Sequence, residues 1–172
     1  MSNTIIKIIL ENGKEINAEL YPEIAPISVA NFLKLIDQNY YDGVIFHRVI
    51  DRFMIQTGKY YINGNQLCEK PEVDTIKGEF ASNGFENTLK HKIGVLSMAR
   101  TNEPDSASSQ FFICSAGCAH LNGQYAAFGK VIDEESLMNV LDISHAETTD
   151  IGYGFSDFPI KPIVIKTIKK VI

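Results

Sequence analysis

In the stretch FHRVIDRFMIQTG, residues 46–58, one side chain stands out from its surroundings. Arg48 lies in a run of aromatic and aliphatic residues that reads as a buried β-strand, yet its guanidinium stays charged at any physiological pH. Arginine is seldom fully buried unless it is paired. Either nearby Asp51 neutralises it, or Arg48 faces a cleft in which another group takes its donors. Two amides bear on that choice. Strand alternation puts Met54 and Gln56 on one face of FMIQTG, and Gln110 and Phe112 on one face of QFFIC, with Phe111 and Ile113 opposite. Buried beside Met and Phe, each amide would need a partner for every polar atom. On a half-open apolar cleft the same four side chains are the usual furniture of a ligand site. The plainer alternative leaves both glutamines as exposed strand residues.

A site of this kind contains no nucleophile and no acid–base couple. GxSxG, Walker and GxGxxG motifs are missing, and the SASS run near Ser106 has no recognisable base in fixed relation to it. His47, His91, His120 and His145 lack metal-ligand spacing and read as isolated structural or surface residues, so neither metal nor cofactor is expected. Cys114 and Cys118 read as packing residues rather than a redox pair. What remains is a reaction that breaks no bond, or binding alone.

The elements that must position these residues are mostly strands. Asn-Gly pairs at 12–13, 63–64, 83–84 and 122–123, with Asp42-Gly43, are strong turn signals and favour antiparallel structure. TIIKIIL and KEINAEL form a hairpin about the first pair, and VIFHRVI, FMIQTG, IGVLSMA, QFFICSA, YAAFGKVI and PIVIKTIKKVI bring the strand count to eight. Eight strands can close into a barrel without free edges. Two segments carry helical spacing instead: PISVANFLKLIDQNY, with an apolar stripe of Val29, Phe32, Leu33 and Ile36, and DEESLMNVLDI, with Leu137, Val140 and Leu141. The expected architecture is a closed eight-stranded antiparallel barrel capped by two helices. Residues 59–74 and 147–161 read as surface loops.

Composition sets the outer bounds. A chain of 172 residues that is 45% hydrophobic and 22% charged suits one soluble domain over residues 1–172 with a full core. A net charge of -5 argues against sequence-independent binding to nucleic acid, which depends on many Lys and Arg contacts to phosphate. Three cysteines without paired spacing, Cys68 among them, suggest a reducing compartment. No leader or membrane span is recognisable, so a cytoplasmic protein without a membrane partner is expected. A barrel without edges would also be most simply a monomer.

The runs YYDGVIFHRVIDRFMIQTG, GEFASNGFENTLKHKIGVLSMART, DSASSQFFIC, LNGQYAAFGKV and FPIKPIVI follow one another in an order and spacing that is highly specific. Together they resemble the cyclophilin-type peptidyl-prolyl cis-trans isomerases, in the compact, bacterial-like, single-domain form. The resemblance implies the barrel with two helices, an isomerase needing no cofactor, and proline-containing peptides and unfolded or folding proteins as partners. Carried over position by position, it makes Arg48, Gln56 and Phe112 catalytic. Phe53, Met54, Ala99, Arg100, Gln110, His120, Leu121 and Tyr125 become the substrate groove, with Arg48 donating toward the prolyl nitrogen.

Some positions depart from the family pattern. Arg100 stands where many relatives have Asn, at a position that contacts peptide through its backbone. His120 replaces an aromatic residue and Tyr125 a histidine, so binding of cyclosporin-type inhibitors is expected to be weakened. QTG replaces QGG, and KYYINGNQLCEKPEVD replaces a glycine-rich loop, so preference beyond proline is expected to differ. Two readings from other classes compete: a proline-peptide binding module or holdase on the same fold, and an unrelated barrel carrying small apolar ligands. A barrel interior filled by Phe and Ile would dispose of the second.

Overall fold

A computed structural model describes residues 2–172. In chain order the elements are β1 (Thr4–Leu10), β2 (Glu15–Leu20), α1 (Pro26–Asp37), β3 (Arg48–Ile50), β4 (Met54–Thr57), β5 (Tyr60–Asn63) and β6 (Gln66–Glu69). They continue with β7 (Val95–Met98), β8 (Phe111–Cys114), β9 (Ala127–Val131), α2 (Glu134–Ser144), β10 (Thr148–Thr149), β11 (Phe158–Pro159) and β12 (Ile165–Lys170). None of the described helices is long and apolar enough to cross a membrane.

Period-two alternation builds the sheet. In β1 and β2, Ile6, Ile8, Leu10, Ile16, Ala18 and Leu20 all turn inward and are buried, and the Asn12–Gly13 turn is closed by Lys14 N–H donating to Asn12 Oδ1 at 2.9 Å. The eight expected strands form one antiparallel sheet in the order β12-β1-β2-β9-β7-β8-β4-β3. That sheet is a half-barrel, not the closed ring expected. Its outer strands, β12 and β3, share no ladder. The two edges meet only beside them, at the single bridge Ile45–Val164 and the hydrogen bonds around it, such as Phe46 N to Ile163 O at 3.0 Å. Pro162 has no N–H to extend that pairing, and the Asp42–Gly43 turn bends the facing segment away. The inference from a missing edge to a monomer loses its basis with the closed ring.

The interior is solid. Phe32 of α1 packs against Phe111 at 5.0 Å, Phe128 at 5.1 Å and Tyr41 at 5.3 Å between ring centroids, surrounded by buried Ile and Leu from both halves of the sheet. Phe and Ile side chains fill the interior, which disposes of the carrier reading.

Both helices form where the spacing predicts, but their buried faces differ in detail. On α1 the face is Ser28, Val29, Phe32, Leu35 and Ile36, with Leu33 only partly covered. Ala25 gives α1 no side-chain cap. The carboxylate of Glu79, fully buried, accepts instead from Ile27 N–H at 3.1 Å, Ser28 N–H at 2.7 Å and Ser28 Oγ–H at 2.7 Å. On α2 the expected Leu137 and Leu141 are only partly buried, while Ser136 and Asn139 are buried. The polar pair faces β2: Asn139 Nδ2 donates to Glu15 O at 2.7 Å, and Ser136 Oγ accepts from Asn17 N–H at 2.8 Å.

The two expected surface loops also contain structure. Residues 59–74 hold the β5–β6 hairpin, turned at Asn63–Gly64, and residues 147–161 contain both strands of the small β10–β11 ladder. Their turn residues are real; the short strands between them lack the apolar alternation by which longer strands were recognised.

Candidate active site

Register places the central residues. Arg48 of β3 pairs with Gln56 of β4, and Gln56 pairs with Phe112 of β8, so the three lie in one row across adjacent strands with their side chains on one face. Ser97 of β7 extends the row. The adjoining row, Val49, Ile55, Ile113 and Leu96, is buried in the core on the opposite face. A strand's two-residue period thus separates site from core with no further device.

The outward face forms a small pocket of about 120 Å³. Every site residue expected from the sequence lines it except Gln110 and His120. Its apolar wall is Phe53, Met54, Phe112 and Leu121, backed by a second apolar cluster that includes Cys114 and Cys118. Ser115 N–H donates to Phe53 O at 2.9 Å, and Cys118 Sγ lies 3.4 Å from the same oxygen. Burial pushes both thiols up, as befits packing residues.

The two absent residues adjoin the pocket. Gln110 Nε2/Oε1 meets Gln56: the Gln56 amide donates to Gln110 Oε1 at 2.9 Å, which turns Gln56 Oε1 toward Arg48, whose Nη1 donates to it at 3.3 Å. His120 packs its ring on Phe53 at 5.5 Å from the exposed rim. The amide relay holds the guanidinium with one neutral acceptor and leaves its other donors free. Arg48 is exposed rather than buried, and among the described residues it has no ion pair. Asp51 turns to Arg52 at 3.8 Å and His145 at 3.5 Å instead.

One expected groove residue does more than the sequence suggests, and three supporting residues, His91, His47 and Thr57, were not marked by it. Arg100 is more than a backbone position: Nε and Nη2 donate to Gln124 O at 3.1 and 2.6 Å, and its guanidinium stacks 4.6 Å from the Tyr125 ring and 4.7 Å from Phe80. It clamps the Gln124–Tyr125 rim to the segment after β7 that carries Ala99. His91 lies under Phe112, with ring centroids 6.2 Å apart, and is anchored through Nε2 to Ser97 Oγ at 2.8 Å and Nδ1 to Asn122 Oδ1 at 3.1 Å. Burial lowers its pKa, so it is a neutral prop at physiological pH. His47 is also neutral: burial, aided by the Arg48 charge, lowers its pKa to about 4. Thr57, at the departure from QGG, donates its hydroxyl to Ile45 O at 2.8 Å.

Comparison with known proteins identifies the family. The family described as cyclophilin type peptidyl-prolyl cis-trans isomerase/CLD matches residues 5–170. The chain belongs to that family. Among curated proteins it is 42% identical to a peptidyl-prolyl cis-trans isomerase of Acinetobacter baylyi, over 98% of this chain and 86% of the relative. It is 39% identical to peptidyl-prolyl cis-trans isomerase A of Dickeya dadantii, over 94% and 82%. Among solved structures, a Cryptosporidium parvum cyclophilin type peptidyl-prolyl cis-trans isomerase superposes with a TM-score of 0.76 at 30% identity, covering 98% of both chains. The same protein crystallised in the presence of the dipeptide Ala-Pro superposes with a TM-score of 0.75 at 32% identity, covering 95% and 96%. As a cyclophilin-type enzyme the chain is a peptidyl-prolyl cis-trans isomerase. His120 and Tyr125 fit this cyclophilin's rim without opening it, because one packs on Phe53 and the other meets Phe112 edge-on at 5.8 Å.

Proposed function

We propose that this isomerase speeds rotation about X-Pro bonds in peptides and folding proteins by binding the proline ring in the Phe53–Met54–Phe112–Leu121 pocket beneath Arg48. The observation that carries the reading is the guanidinium itself: charged, unpaired, and held by the Gln56–Gln110 relay at the lip of an apolar pocket of about 120 Å³. The peptide bond resists twisting because nitrogen lone-pair resonance sets a barrier of roughly 18 to 20 kcal/mol. Twisting localises the lone pair on the prolyl nitrogen, which becomes pyramidal and basic. A donor aimed there interacts more strongly with the twisted state than with either planar isomer, and so lowers the barrier. The apolar wall fixes the ring and excludes water from the reacting amide. No covalent intermediate and no cofactor enter.

A charge-assisted hydrogen bond contributes about 1.5 to 3 kcal/mol, which corresponds to roughly ten- to hundredfold in rate. Relatives named as isomerases and a neighbour crystallised with Ala-Pro support proline peptides as the substrate class. Exchange NMR on a short Ala-Pro peptide tests the reading. Acceleration by the wild type and a large loss in folded Arg48→Ala are expected; binding without acceleration would make the chain a proline-peptide binding module.

A further inference from the structure

A second hollow lies on the other side of Arg48. It encloses about 1100 Å³, against about 120 Å³ for the proline pocket, and the two share Arg48 and Gln56. One wall is the β5–β6 hairpin, through Tyr60, Leu67 and Glu69; the other is the loop from Ile151 to Asp157. Neither wall belongs to the eight-stranded sheet. Between them the rings of His47, Tyr60 and Phe155 pack together, at 4.7 Å for His47–Tyr60 and 5.1 Å for Tyr60–Phe155, and give the groove a firm aromatic base.

Size, position and charge identify an occupant. The volume exceeds what one side chain fills and lies at or just above the upper end of the roughly 300 to 1,000 Å³ of sites that take molecules of many atoms. The groove opens directly onto the residues proposed to hold the proline, so a polypeptide bound there has its chain led into it. Its outer walls carry two carboxylates. Glu69 reaches Lys59 only at 3.7 Å and is largely exposed, and the Asp157 carboxylate has no hydrogen-bond or ion-pair partner among the described residues. Tyr153, fully exposed at the loop tip, and Phe155 add aromatic faces suited to a cation. The positive charge in the groove, on Arg48, sits at the end shared with the proline pocket.

We propose that this groove is an extended subsite that binds the polypeptide flanking the proline and selects a basic side chain near the isomerising bond. This rests on the isomerase reading above. It makes the hairpin and the 151–157 loop determinants of substrate preference.

The test compares kcat/KM for a short Ala-Pro peptide with longer peptides of the same core that carry Lys or Glu at positions before or after the proline. At one or more positions, Lys peptides are expected to exceed Glu peptides by about threefold to tenfold at low salt, the scale of one or two exposed charge pairs. That ratio should shrink at high ionic strength and fall to near one in the double variant Glu69→Gln/Asp157→Asn. Equal Lys and Glu rates at every position, or a ratio that survives the double variant, would overturn the proposal while acceleration of the short peptide keeps the isomerase reading. If the double variant slows Lys, Glu and short peptides equally, the carboxylates serve the fold rather than recognition and the proposal is also overturned. Failure to accelerate any peptide overturns the isomerase reading and this proposal together.

Discussion

The two hollows that meet at Arg48 are built in different ways. The proline pocket is a cross-strand row, Arg48–Gln56–Phe112, whose neighbours are set by hydrogen-bond register. The outer groove is made by excursions from the sheet, a hairpin and a loop, that meet in the aromatic packing of Tyr60 and Phe155. A row in a sheet cannot be moved without moving strands, whereas a loop can be exchanged at little cost to the core. Chemistry is therefore expected to reside in the pocket and preference in the groove.

Acid is expected to give the largest effect, through a buried histidine beside each hollow. His47 lines the groove and not the pocket, and its folded pKa of about 4 lies below the ordinary 6.5. As pH falls the unfolded chain takes up the proton first. Stability present in full above pH 6.5 is therefore lost progressively between 6.5 and about 4, by up to about 3 kcal/mol for a shift of that size. Buried His91 adds in the same direction. Urea midpoints across this range check the slope, and His47→Gln should flatten it. Around and above neutrality, where neither histidine titrates and Arg48 stays charged, turnover of a short peptide should be independent of pH; a bell centred near 7 would contradict the Arg48 mechanism.

Gly58→Ala attacks the pocket from beneath. Gly58 has φ +115°, and a Cβ there would stand 2.6 Å from Ser109 O and 2.9 Å from the Gln110 Cα. Backbone has no room to yield, so a loss of about 2 to 3 kcal/mol in unfolding free energy is expected, together with reduced kcat/KM as Gln110 shifts. Arg48→Lys keeps the charge but loses the planar fork that serves Gln56 and substrate together; kcat/KM should fall about tenfold or more with unchanged urea midpoint. The smallest effect is expected from Gln110→Leu, which leaves Arg48 in place but frees Gln56 to rotate. A loss of roughly threefold to tenfold in kcat, with little change in KM, would mark Gln110 as a positioning residue; a change confined to KM would place it in binding instead.

Much of the pocket was legible before folding because two residues per period is a short-range rule. Alternation paired Met54 with Gln56 and Gln110 with Phe112, and all eight strands of the main sheet fall within the apolar-rich runs of the sequence. The resemblance then added Phe53, Ala99, Leu121 and the rim, which the structure gathers around the same pocket. Arg48 itself was legible as an anomaly, although its surroundings suggested burial that the outward face of β3 does not impose.

What the sequence by itself determined is the eight strands of the main sheet, the two helices and the face most of those strands turn inward, because alternation, turn residues and helical spacing act over a few neighbours. The tertiary structure alone decided that Glu79 caps α1 across a separation of 51 residues, that α2 buries Ser136 and Asn139 against β2, and that Arg100 clamps Tyr125. It also decided that the sheet stops short of a ring and that residues 60–69 wall a groove. Each of these depends on groups distant in the chain meeting in three dimensions. No local period encodes such a partner, because its free energy exists only once the chain has brought both ends together.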